Sequence, residues 1–296
     1  MGGGAWTSAS YSTYTKSTRG VDLDDFVNTN YSAQEMYTSR RLAPELNPHN
    51  VMRECCDSEE HPQTLPVILA LDVTGSMGNT AVEVAKKLNE IMTNLYEEVS
   101  DVQFMIMGIG DLSYDNAPIQ ISQFESDIRI AEQLDKIYFE AGGGGNKYES
   151  YSAAWYMGVN HAKLDCWKRG QKGIIITMGD EGPNPYLPHY GLSRATGDVL
   201  QGDVETKDLY TETIDKYDIY HIAVDDKSSS YDYHQKYYDI DKQWTNLLGD
   251  HYMISTLDNL AQTIIEIIKN RDVWGNTTPI VSAPGLTVNE NDEVTW

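Results

Sequence analysis

Residues 66–78 read PVILALDVTGSMG. The first seven form a continuous apolar run that ends on a carboxylate, Asp72. Such a run is expected of a strand buried on both faces of a parallel sheet. Two hydroxyls follow one residue apart, Thr74 and Ser76, with Gly75 and Gly78 beside them. The question is why a buried strand should end on an acid followed by a small, hydroxyl-bearing turn.

Outward from this stretch, TAVEVAKKLNEIMTNLYEEV (80–99) puts Ala81, Val84, Ala85, Leu88, Ile91, Met92, Leu95 and Val99 on one helical stripe. VQFMIMGIGD (102–111) is a second apolar strand ending on an acid. IQISQF (119–124) alternates and reads as a half-exposed edge strand. Short helices are expected over 127–138 and, after the glycines 142–145, over 151–164. Residues 173–180 form another buried strand, ending on Asp180. Residues 182–204 read as loop, 206–216 as a weak helix, 217–225 as a strand and 228–238 as a polar, aromatic loop. A helix (239–250), a last strand (251–256) and an amphipathic helix (257–271) follow.

Strands alternate with helices, with one early antiparallel hairpin. This implies an α/β fold with a doubly wound, mostly parallel sheet and one antiparallel edge strand, in three α/β/α layers. In such sheets the ligand site lies beyond the carboxyl ends of the strands. The chain divides into an N-terminal arm over 1–63, Gly/Ser/Tyr-rich and then mixed, a domain over 64–271, and a polar tail over 272–296. The arm has too little aliphatic content for a core of its own, and is expected to drape on the domain or on a neighbour.

The formal charge is −23, from 45 acidic against 22 basic residues. This argues against nucleic acid, whose binding draws on phosphate neutralisation by Lys and Arg, and against an anionic membrane surface. No apolar stretch is long enough to span a bilayer. The start lacks a signal-peptide pattern, and Trp6 stands where a myristoylation motif wants Ser or Thr. Three cysteines, Cys55, Cys56 and Cys166, are too few and too scattered for a disulfide framework. They read as free thiols in a reducing compartment, and the protein as cytoplasmic.

Asp72, Thr74 and Ser76 bring one carboxylate and two hydroxyls to one point. These hard oxygens suit Mg²⁺ or Ca²⁺ far better than zinc, and Asp180 at a second strand end is placed to face the same crevice. The bland alternative is a helix N-cap, which Ser and Thr also favour. A P-loop is excluded by the missing Lys-Ser/Thr ending after Gly142–Gly145. A phosphatase of the haloacid dehalogenase type needs a second acid where Thr74 stands. Ser76 lacks the surroundings of a nucleophile, and His221, inside a strand, reads as a satisfied core residue.

Asp72-Val73-Thr74-Gly75-Ser76 with distant Asp180, in this order of elements, resembles the von Willebrand factor A domain and its metal-ion-dependent adhesion site, written Asp-x-Ser-x-Ser, a distant Thr and a distant Asp. The resemblance covers roughly 65–270 and implies a Rossmann-like fold. It also implies Mg²⁺, with Mn²⁺ or Ca²⁺ as substitutes, held by Asp72, Thr74, Ser76 and, directly or through water, Asp180. The family's middle Thr is missing. Gly145 stands at its place, Asn146 is the nearest oxygen donor, and Glu149 and Ser150 are outer candidates. Asp111 ends the second strand near the same rim.

The expectation is a protein-interaction module, not an enzyme. An open coordination position on the metal accepts an Asp or Glu of a protein partner. The alternative is a structural protein that self-associates through arm and tail into a homo-oligomer. A metal-dependent hydrolase is the third reading and lacks a placed general base.

Overall fold

Leu65–Asp72 forms strand β1, and all but its first residue are buried. The computed structural model describes residues 4–99, 101–140, 147–225 and 231–270. Among these, β1 is central to a six-stranded sheet with β2 (Val102–Ile109), β3 (Ile119–Ile121), β4 (Gly173–Gly179), β5 (Tyr217–Asp225) and β6 (Tyr252–Thr256). The strand order is β6-β5-β4-β1-β2-β3. The β2–β3 pair is antiparallel and the other neighbours are parallel. The expected mixed α/β architecture is therefore present, with its antiparallel strand at one edge.

Successive side chains of β1 enter opposite cores, as the pleat requires. Val67, Leu69 and Leu71 join one apolar cluster, and Ile68 and Ala70 the other. The first cluster takes in the buried stripe of helix α4 (Gly78–Glu98) and that of α11 (Leu260–Lys269). The second is built around Trp155 of α6 (Ala153–Asn160) and Trp244 of α10 (Ile240–Leu248).

The segment before residue 64 lies on the domain's own face. It folds into α1 (Ser8–Arg19), α2 (Leu23–Asn28) and α3 (Ala33–Met36), which contact α4. Trp6, Tyr11, Phe26, Met36 and Tyr37 are buried in the first cluster. The tyrosine hydroxyls reach the carbonyls of α4: Tyr11 donates to Ala85 at 2.6 Å and Tyr37 to Ala81 at 2.7 Å. The close approach needs a small residue, because a Cβ on Gly78 would stand 2.8 Å from that of Ala33. Aromatic rings supply the area that aliphatic residues do not, and each buries a large surface.

Other elements depart from the sequence expectation. Helix α6 stops at Asn160, and Ala162–Leu164 pairs in parallel with Arg53–Cys55 instead of continuing it to 164. The stretch 182–204 contains helix α7 (His189–Thr196), closed by Gly197 at φ +84. Residues 228–238, expected as loop, contain helix α9 (Tyr231–Tyr238), where Tyr231 and His234 are buried. Strand β3 is fully buried, not half exposed. Residues 44–46 cover its edge, and the Arg53 guanidinium donates to the Ile121 carbonyl at 3.0 Å. Covering an edge strand in this way removes a surface that would otherwise pair with other chains. The remaining described helices are α5 (Arg129–Leu134) and α8 (Thr206–Thr213). Among the described residues no helix is long and apolar enough to cross a membrane.

Phe26 lies 1 % exposed between Tyr11, Tyr31 and the Arg19 guanidinium. Phe26→Ala is expected to lower the unfolding free energy by roughly 3–5 kcal/mol, read as a shifted urea midpoint. A shift worth under ~1 kcal/mol would detach the first 63 residues from the cooperative unit.

Candidate metal centre

The strand order reverses between β1 and β4, and open α/β sheets place ligands beyond the carboxyl ends at that point. The register pairs Leu71 with Met178. Asp72 and Asp180 therefore emerge side by side, 1 % and 0 % exposed. Two carboxylates so placed repel each other in a poorly solvated spot.

Two hydroxyls bridge them. The Thr74 hydroxyl donates to Asp72 Oδ1 at 2.6 Å, and the Thr74 N–H reaches the same oxygen at 2.9 Å. The Thr74 and Ser76 hydroxyl oxygens lie 3.5 Å apart, and Ser76 donates to Asp180 Oδ1 at 3.4 Å. Neither hydroxyl caps a helix, since the turn Gly75–Met77 and α4 both begin without a side-chain cap. Each gives its proton to a carboxylate and keeps its lone pairs for something else. That observation separates the cation reading from the N-cap reading.

The four oxygens fit a hard cation. Neighbouring oxygens on Mg²⁺ stand about 2.9 Å apart and on Ca²⁺ roughly 3.4 Å apart, from their usual bond lengths. The observed steps are 2.6 Å from Asp72 to Thr74, a hydrogen-bond length, then 3.5 Å to Ser76 and 3.4 Å on to Asp180, near the Ca²⁺ spacing. Among the described residues no three His, Cys, Asp or Glu side chains converge closely enough to hold a metal by themselves. A cation held here would therefore need the hydroxyls as well.

The rim is acidic. Residues Tyr148–Glu149 pair in parallel with Gly182–Pro183, which brings Glu149 beside the 180–181 turn. Glu149 is 2 % exposed, and among the described residues neither its Oε2 nor that of Glu181 has a hydrogen-bond partner. Burial, and then the Asp180 charge, raise the Asp72 carboxyl well above the usual range. Burial, followed by Asp72 and Glu181, pushes Glu149 up to about 11. Burial, followed by Asp72 and Asp180, pushes Glu181 up to about 8. Buried carboxylate oxygens left without a partner call for one, and a cation is among the groups that would satisfy them.

Sequence reasoning places Asp72, Thr74, Ser76 and Asp180 together, and the structure does the same. Asn146 and the glycines 142–145 lie outside the described residues. The Ser150 hydroxyl accepts the Leu112 N–H at 3.1 Å. Asp111 Oδ1 accepts the Ser113 N–H at 2.6 Å, closing its own turn.

Tyr151 is the residue that sequence reasoning missed. Its hydroxyl donates to Asp72 Oδ2 at 2.7 Å, and burial, then Asp72, hold that phenol far above its usual range. The ring lies edge-on to His221 and Trp244. A signal existed in Gly179: a Cβ there would stand 1.9 Å from the Tyr151 hydroxyl. His221 is a core residue, stacked on Trp244 at 3.7 Å with Thr177 at Nδ1, although its Nε2 has no partner. His234 and Trp244 fix the turn after β4: His234 Nδ1 donates to the Asp180 carbonyl at 3.0 Å, and Trp244 Nε1 to that of Glu181 at 2.9 Å.

No protein-family model and no curated protein matches the chain. Among solved structures it is similar to the pilus adhesin SpaC of Lactobacillus rhamnosus GG in its open conformation. That match has TM-score 0.46 and 13% identity, over 74% of this chain and 31% of the adhesin. It is also similar to proximal thread matrix protein 1 of the mussel byssus, with TM-score 0.40 and 12% identity over 70% of this chain and 45% of that one. The chain spans less than half the length of either.

Two outcomes follow from the geometry. Gly179→Ala is expected to cost about 1–3 kcal/mol of unfolding free energy, read from the urea midpoint, with a changed near-UV spectrum as Tyr151 is displaced. The raised carboxyls set the sign of the pH effect. The folded chain holds more protons than the unfolded one between the usual carboxyl range and the raised values, so stability falls as pH rises through that window. In chelator, the unfolding free energy is expected to drop by ~1–3 kcal/mol from about pH 5 to about pH 8. A flat profile would contradict the placement of these acids.

Proposed function

We propose that this chain is a von Willebrand A-type protein-interaction module, Rossmann-like in its three α/β/α layers and doubly wound sheet. Asp72, Thr74, Ser76 and Asp180 hold Mg²⁺, or Mn²⁺ or Ca²⁺ in its place. The observation that carries the reading is the run of four oxygens at the sheet's reversal point, with both hydroxyl protons directed onto carboxylates. The order of elements supports the family assignment.

A bound cation supplies positive charge at a face the chain makes strongly negative, and with an open coordination position it takes a carboxylate from a protein partner. The residues prepare that contact. Thr74 and Tyr151 fix both oxygens of Asp72. His234 and Trp244 fix the backbone that carries Asp180. Glu149 and Glu181 hold their protons tightly, and binding of a cation would release them. This is a binding function, not turnover. The three cysteines are free thiols, which suits a reducing, cytoplasmic setting.

Calorimetric titration of Mg²⁺ and Mn²⁺ into wild type and Asp72→Asn tests the site. Wild type is expected to give a saturable heat and the variant none. The variant, relieved of like-charge repulsion, is expected to match or exceed wild-type stability in chelator, which separates lost binding from lost folding. Equal heats from the two proteins would falsify the reading.

A further inference from the structure

The metal turn also forms the wall of a cleft. A cavity of about 360 Å³ is lined by Thr74, Gly75 and Gly78, by the segment around Tyr37–Arg40, and by Phe139. Its acid, Glu140, is turned inward, where it accepts the N–H groups of Asn116 and Ala117 at 2.7 Å and 2.6 Å. Arg40 lines the same cleft, is exposed, and makes no ion pair or hydrogen bond among the described residues. In a chain of net charge −23, a solvent-facing guanidinium without a counter-charge, beside a cation site, is selective for a ligand carrying two acids. Arg recognises a carboxylate bidentately.

This chain contains such a segment. Residues 289–293 read Asn-Glu-Asn-Asp-Glu, with Glu290, Asp292 and Glu293. The described chain stops soon after α11, whose Lys269 pairs with Glu98 at the far end of α4. That helix spans about 30 Å from Gly78. The twenty residues from 270 to 290 extend to at most roughly 70 Å, more than twice the length of that helix. Tethering makes such a contact intramolecular, and so favours it over a separate molecule of equal chemistry.

We propose that the acidic segment 289–293 of the same chain is the cleft's own ligand, one carboxylate at the open metal position beside Thr74 and a second on Arg40. Resting on the metal reading above, it makes the site self-occupied, so that a partner's acidic segment must displace the tail. Elsewhere on this acidic surface the segment is repelled, which makes the seat specific and metal-dependent.

The test uses the full-length chain and a fluorescent synthetic peptide of residues 285–296. A variant carrying Glu290→Gln, Asp292→Asn and Glu293→Gln is expected to bind the peptide at least about tenfold more tightly than wild type, with Mn²⁺ present and not in chelator. Adding Arg40→Glu to that variant is expected to weaken the peptide about tenfold and to leave Mn²⁺ binding, followed by electron paramagnetic resonance, unchanged. Equal peptide affinity in wild type and the neutral-tail variant, or no effect of Arg40→Glu, overturns the inference. Mn²⁺ bound without peptide overturns it alone, whereas no Mn²⁺ bound overturns the metal reading and this inference together. Dimers of wild type that vanish in the neutral-tail variant place a neighbour's segment in the cleft and overturn the intramolecular seat.

Discussion

The pairing of β1 with β4 is the constraint on which the rest of the site depends. Both strands are buried on both faces, and both run into an acid at the carboxyl end. Parallel register leaves Asp72 and Asp180 no choice but to meet. Ionised together in a dry crevice they oppose folding, and the structure answers in three ways. Hydroxyls of Thr74 and Ser76 donate into the gap. Tyr151 donates from the second layer of side chains. The protons of the surrounding carboxyls are held more tightly than in water. Each device is partial, and a divalent cation would complete them.

The acids around the pair are arranged and not merely abundant. Glu149 reaches the site because a two-residue strand pairing locks it beside the turn after β4. Tyr151 reaches Asp72 because Gly179 leaves room for its ring. The same turn is held from the other side by His234 and Trp244, on helices α9 and α10. Residues from five separate parts of the chain thus fix a group of oxygens only a few ångström across. Such preorganisation favours a ligand by lowering the ordering cost at binding.

The N-terminal segment shows the same economy by a different chemistry. Its helices bury aromatic rings against α4 and satisfy their hydroxyls on helix carbonyls. Buried tyrosine is stable only when its hydroxyl finds a partner, so these bonds fix where the segment docks. The consequence reaches the site, because the segment's Tyr37–Arg40 stretch forms one wall of the cleft whose other wall is the metal turn. A piece of chain without a core of its own thereby shapes what can approach the turn at Thr74–Gly78.

The sequence by itself determined the alternation of strands and helices, the buried character of β1 and β4, and the four oxygen donors Asp72, Thr74, Ser76 and Asp180. These are legible because apolar runs and helical stripes are local patterns, and because strand ends in a parallel sheet are where ligands sit. What only the tertiary structure decided is everything that depends on contacts far apart in the chain. Tyr151 and Asp72 are 79 residues apart. The wall of the cleft comes from a segment whose aromatic spacing carries no periodic signal. The full burial of β3 and the helices α7 and α9 also escaped local reading, since they are set by what packs over them and not by their own alternation. Periodicity reports which face of an element is apolar; it does not report which other element will cover it. Long-range packing alone turned an acid at a strand end into one of a run of neighbouring oxygens.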